Sequence, residues 1–106
     1  MEFTYAQIDL NIFSYGARKG EYWTGSMFGY REDPTRADAD EEPEDLGFLE
    51  DFASERDGIR KAKALADRLI LGDDAVAVTV FSEGNEVYHV NQRTFARKQR
   101  RAYKAR

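Results

Sequence analysis

The 106-residue chain has no cysteine, two prolines and one histidine. Without cysteine there are no disulfides, no thiolate metal ligands and no cysteine nucleophile; this suits a reducing compartment, and the cytoplasm is the expected location. Nowhere do eighteen apolar residues follow one another, and the amino terminus MEFTYAQIDL lacks a basic region followed by an apolar run, so neither a membrane span nor a signal peptide is expected. Glycines at 16, 20, 25 and 29 do not have phosphate-loop spacing, and no GKS or GKT follows them. His89 in EVYHV is the only imidazole, and no serine or cysteine nucleophile motif accompanies it. An enzyme is therefore disfavoured: no residue is assigned a catalytic role, and no cofactor is expected.

What is present is an uneven distribution of charge. The net charge of -4 hides residues 32–57, with twelve acids against Arg36 and Arg56, and the last fourteen residues, with seven bases and no acid. Asymmetry of this kind bears on partners and association rates more than on fold. The acidic run DADEEPED offers oxygen ligands but not a calcium loop. Counting from Asp38, the sixth position is Pro43 where a turn glycine belongs, and the twelfth is Leu49 where a bidentate carboxylate belongs. No metal site is assigned.

Periodicity divides the rest of the chain. Ala6, Ile8, Leu10 and Ile12 alternate with Gln7, Asp9 and Asn11, the period of a half-buried strand. YGARKGEY then turns the chain, and YWTGSMFGY returns it; Gly25 and Gly29 point to an edge or a bulge in this second strand. Tyr22, Trp23, Phe28 and Tyr30 are expected mainly to pack in the core or across strands, with a stacking surface as the other outcome. Ile59, Ala62, Ala66, Leu69 and Ile70 recur at helical spacing, predicting a helix from about Ser54 to Leu71 before Gly72. DDAVAVTVFSEGNEVYHV predicts a second hairpin, with Val76, Val78 and Val80 facing the core. His89 falls on the face opposite Tyr88 and Val90. The expected fold is α+β: an antiparallel sheet of two hairpins on one main helix, in ββαββ order, with a basic C-terminal helix or tail. One domain spans 1–106, with an acidic loop at 32–45 and a basic extension at 92–106 that Asn91 can cap.

Two segments carry the functional expectations. After the acidic loop, Leu46, Phe48, Leu49 and Phe52 are interleaved with acids, so this part either docks onto the chain's own sheet or forms an acidic, apolar binding edge. The first expectation is a non-catalytic protein-binding module, an inhibitor or modulator that occupies a basic site on a nucleic-acid-handling protein. Asp38, Asp40, Glu41, Glu42, Glu44 and Asp45 would steer the encounter, and Phe48 and Phe52 would anchor it. In size, acidity and lack of cysteine the chain is similar in character to small phage inhibitors of host nucleic-acid enzymes, anti-CRISPR proteins among them; no motif carries the likeness. The alternative is direct nucleic-acid binding through Arg93, Arg97, Lys98, Arg100, Arg101 and Lys104. The opposed charges also allow two copies to pair, so a homodimer is compatible with either expectation.

Overall fold

The computed structural model describes residues 3–14, 21–32 and 42–97. Its elements run β1 (Phe3–Ser14), β2 (Glu21–Tyr30), β3 (Glu44–Phe48), α1 (Glu55–Leu71), β4 (Ala75–Ser82) and β5 (Asn85–Asn91), and residues 92–97 are helical. The strands form one five-stranded sheet in the order β3-β2-β1-β4-β5. The fold is α+β, but the expectation of an antiparallel sheet from two hairpins in ββαββ order is corrected in two respects: there is a third strand before the helix, and the central pair, β1 and β4, is parallel. Both corrections have one cause. β1, β2 and β3 alternate in direction, so β3 runs with β1. A strand–helix–strand crossover brings the next strand back in the same direction, and α1 thereby lays β4 alongside β1.

The helix begins and ends for local reasons. Ser54 is in extended conformation, and its hydroxyl accepts from the Asp57 amide at 3.2 Å; Glu55 and Asp57 lie in the first turn, where the dipole favours acids. At the other end the Gly72 amide donates to the Arg68 carbonyl at 2.9 Å. Ala62, Ala66 and Ile70 turn inward onto Ala6, Ile8 and Leu10 of β1, Val78 and Val80 of β4, and Val90 of β5. Ile8, Leu10, Val78 and Val80 are fully buried, each contributing about 1.5–3 kcal/mol by removal from water.

Three glycines explain how closely these layers approach. A Cβ on Gly58, in the helix interior, would meet Phe52 at 3.2 Å and Leu10 at 3.7 Å. Gly25 makes room for Leu10 and Leu49, and a Cβ on Gly29 would come within 2.7 Å of the Phe3 ring. β2 lies between β1 and β3 and is not an edge, and the other expected outcome, a bulge, falls between the two glycines at Met27/Phe28; Gly25 and Gly29 also accommodate neighbouring side chains. The β4–β5 turn places Glu83 and Gly84 at φ of 48° and 82°, the two positive values that a tight hairpin turn needs.

The segment after the acidic loop docks onto the chain's own sheet. Glu44–Phe48 pairs with β2 through a register shift at Met27/Phe28, and Gly47 sits at φ of 101°. The Leu49 amide donates to the Gly25 carbonyl at 2.7 Å, and Trp23 and Phe52 exchange backbone hydrogen bonds of 2.9 and 2.7 Å. Glu44 and Asp45 thus belong to a strand rather than to the loop. An acidic edge strand is a known way of discouraging pairing with another sheet.

Candidate functional site

Strand alternation gives the sheet two unlike faces. Ala6, Ile8 and Leu10 of β1 lie under α1, whereas Tyr5, Gln7, Asp9, Asn11 and Phe13 point the other way, where no described helix packs. Register extends this open face across all five strands. One row runs Phe48, Ser26, Asp9, Phe81, Glu86; the next runs Asp45, Phe28, Gln7, Thr79, His89; a third joins Tyr30, Tyr5, Ala77 and Asn91. At the far end Phe13 pairs with Tyr22. Phe48 is 79% exposed and Phe13 49% exposed, while Tyr5, Phe28, Tyr30 and Phe81 are half-buried among their neighbours.

The rings are held in pairs. Tyr5 and Tyr30 lie tilted with centroids 5.6 Å apart, and Phe13 and Tyr22 stack at 5.8 Å. Between them the Gln7 amide donates to both oxygens of Asp9, at 2.9 and 3.1 Å, fixing the carboxylate near the centre of the face. His89 Nδ1 lies 2.8 Å from the Thr79 hydroxyl. The Tyr5 phenol titrates above its ordinary value, first because it is buried and then because Tyr30, Asp9 and Glu86 disfavour a further negative charge; a hydrogen bond with Thr79 works the other way. Asp9 and Glu86 therefore act on one ring, as charges on one face.

Charge separates the two layers. None of the five strands contains a lysine or an arginine; their charged residues are Asp9, Glu21, Glu44, Asp45 and Glu86. The helix carries Arg56, Arg60, Lys61, Lys63 and Arg68 against Glu55, Asp57 and Asp67. Several of these cations are engaged: Lys61 with Glu50, Arg60 with Asp57 at 3.3 Å, and Lys63 over the Tyr88 ring at 5.4 Å. The Tyr88 hydroxyl in turn donates to Asp67 at 2.6 Å, joining β5 to the helix.

The residues singled out from the sequence fall in three places. Phe52 is 4% exposed, with its ring in the core, so it has no surface to offer a partner; Phe48 projects from the open face. Glu42, Glu44 and Asp45 are exposed, Glu44 pairing with Arg31 at 3.3 Å and Asp45 accepting from the Gly47 amide at 2.8 Å. Asp38, Asp40 and Glu41 lie outside the described residues, as do Lys98, Arg100, Arg101 and Lys104. Arg93 and Arg97 are exposed on the helical residues 92–97, where Asn91 and Thr94 bond reciprocally at 2.9 Å and Phe95 packs against the core.

Sequence reasoning did not find the open face. Its signal was present in the alternate positions of β1 and β2, where aromatics recur among polar residues, Asp9 is the one charge and no base interrupts them. Among the described residues no buried side-chain nitrogen or oxygen lacks a hydrogen-bond partner, and no three histidine, aspartate or glutamate side chains gather as metal ligands. No described helix is long and apolar enough to cross a membrane. Comparison with protein-family models, with curated proteins and with solved structures returned no match.

Proposed function

We propose that the protein is a non-catalytic binding module whose open sheet face contacts a basic surface on another protein, in the manner of an inhibitor or modulator of a nucleic-acid-handling protein. The observation that carries this reading is the composition of the face: Tyr5, Phe13, Tyr22, Phe28, Tyr30, Phe48 and Phe81 surround Asp9, Asp45 and Glu86, with no lysine or arginine in any strand. Aromatic rings supply contact area at small entropic cost, and carboxylates steer a basic partner toward them. A protein that grips phosphate presents such a basic surface, and a negative face competes for it by releasing the same counterions. Glu42, exposed just before β3, adds to steering, as Asp38, Asp40 and Glu41 of the same acidic run would. Phe48, beside Asp45, provides the anchor at that edge.

A second reading, direct nucleic-acid binding, draws on the other layer. Arg56, Arg60 and Lys63 recur along the outer side of α1, around a broad depression of about 720 Å³, and Arg93 and Arg97 are exposed on the C-terminal turn. One experiment separates the two. In affinity capture from the native cell with nuclease treatment, the protein-binding reading expects a partner that survives nuclease and is lost when Asp45→Lys, Phe48→Ser and Glu86→Lys are combined. A capture that vanishes with nuclease supports the second reading, and a protein partner indifferent to those three changes sinks the first.

A further inference from the structure

We propose that the open face recognises arginine, with a guanidinium position over the Phe81 ring between Asp9 and Glu86, an inference that rests on reading this face as a protein-binding surface. The occupant is an arginine-bearing segment of the partner protein.

Asp9, Phe81 and Glu86 stand opposite one another on three successive strands, β1, β4 and β5. Strands lie about 4.8 Å apart, so the backbones of Asp9 and Glu86 are about 10 Å apart with Phe81 on the strand between them. A guanidinium is flat, weakly hydrated and rich in in-plane donors. It can lie on an aromatic face while two of its N–H groups reach a carboxylate at the ring's edge. An ammonium is compact and strongly hydrated, and gains less from the same ring. Asp9 is prepared for the first kind of guest. Gln7 holds both its oxygens, which fixes the carboxylate plane, and each oxygen keeps acceptor capacity for a second donor.

The rest of the face offers similar positions. The Tyr5–Tyr30 and Phe13–Tyr22 pairs lie four residues from Asp9 along β1 in either direction, about 13 Å away at the rise of a strand. A segment with several arginines can therefore engage more than one ring while its charge is matched at Asp9, Glu86 and Asp45. Two other occupants fit less well. Phosphates meet a strand surface with no cation on it, and a second copy docked face to face would set carboxylates against carboxylates.

The test uses the full chain and two synthetic probes of equal length and charge, an oligoarginine and an oligolysine, with affinity measured by titration calorimetry at physiological salt. The expected result is at least about tenfold tighter binding of the arginine probe, with the preference reduced to within about twofold by Phe81→Leu and the arginine affinity lowered by Asp9→Asn and by Glu86→Gln. Glu86 is exposed and Asp9 half-buried, and these two near-isosteric variants keep the test decisive if Phe81→Leu disturbs packing, which circular dichroism would report. Equal binding of both probes overturns the arginine inference while leaving the protein-binding reading intact, because that outcome describes a simple negative surface. Arginine binding indifferent to all three variants places the contact elsewhere and also overturns it.

Discussion

The same strands build both faces of the sheet, and the two faces do different work. Under α1, Ala6, Ile8, Leu10, Val78, Val80 and Val90 have lost nearly all contact with water. One residue along, Gln7, Asp9, Phe81 and His89 form a surface of rings and polar groups that no described helix covers, with Thr79 buried among them. Strand geometry allows this division because successive side chains point to opposite sides, so a strand can be stabilised through one set of positions and read by a partner through the other. It follows that stability and recognition should respond to different substitutions on neighbouring residues.

The largest effect is expected from that contrast directly. Leu10→Ala removes a fully buried side chain and is predicted to cost about 2–5 kcal/mol. Phe48→Ala, at the most exposed ring of the open face, should stay within about 0.5 kcal/mol. Urea unfolding of the two variants checks this. Similar losses would mean that the open face is as structural as the covered one, and the division of labour would fail.

A middle-sized effect tests how tightly the covered side is fitted. Gly29→Ala forces a methyl toward the Phe3 ring and should cost about 1–3 kcal/mol, part of which Phe3→Leu in the same chain should recover. Ser26→Ala on the same strand, facing outward, should move the unfolding midpoint little. A double variant no more stable than Gly29→Ala would locate the strain in the backbone of β2 instead of at the Phe3 ring.

How much of this could be read from sequence depended on whether one strand's own pattern carried the information. Alternation from Ala6 to Ile12 predicted β1, the recurrence from Ile59 to Ile70 predicted α1, and SEGNE predicted the turn between β4 and β5. β3 was not legible because its apolar residues, Leu46 and Phe48, share a five-residue strand with two acids and a register shift at Leu46 that breaks the period. The parallel pairing of β1 with β4 was equally hidden, since periodicity reports which side of a strand is buried and not which strand lies beside it. The binding face was missed for a related reason. Phe81 and Glu86 lie far from Tyr5 and Asp9 in sequence, and only register sets them together. For Phe52 the sequence left two outcomes, docking on the chain's own sheet or anchoring a partner, and the structure gives the first: a backbone bridge joins it to Trp23 and its ring is buried in the core.

The smallest effect reads the charge of the open face through Tyr5. In the unfolded chain this phenol gives up its proton near its ordinary value of 10.0, whereas the folded chain holds it to higher pH, first through burial and then through Tyr30, Asp9 and Glu86. The unfolded state therefore binds fewer protons than the folded one above that value. Stability from this group is fully present below pH 10.0 and is lost as pH rises through the folded value. Tyr5→Phe should remove that alkaline loss. Asp9→Asn and Glu86→Gln leave the burial of Tyr5 in place, so they should bring its titration down only part of the way. Ultraviolet difference titration against Tyr5→Phe isolates this phenol from the other tyrosines. If neither carboxylate variant moves it, Asp9 and Glu86 share no field at Tyr5, and the contrast between the faces is one of packing rather than of charge.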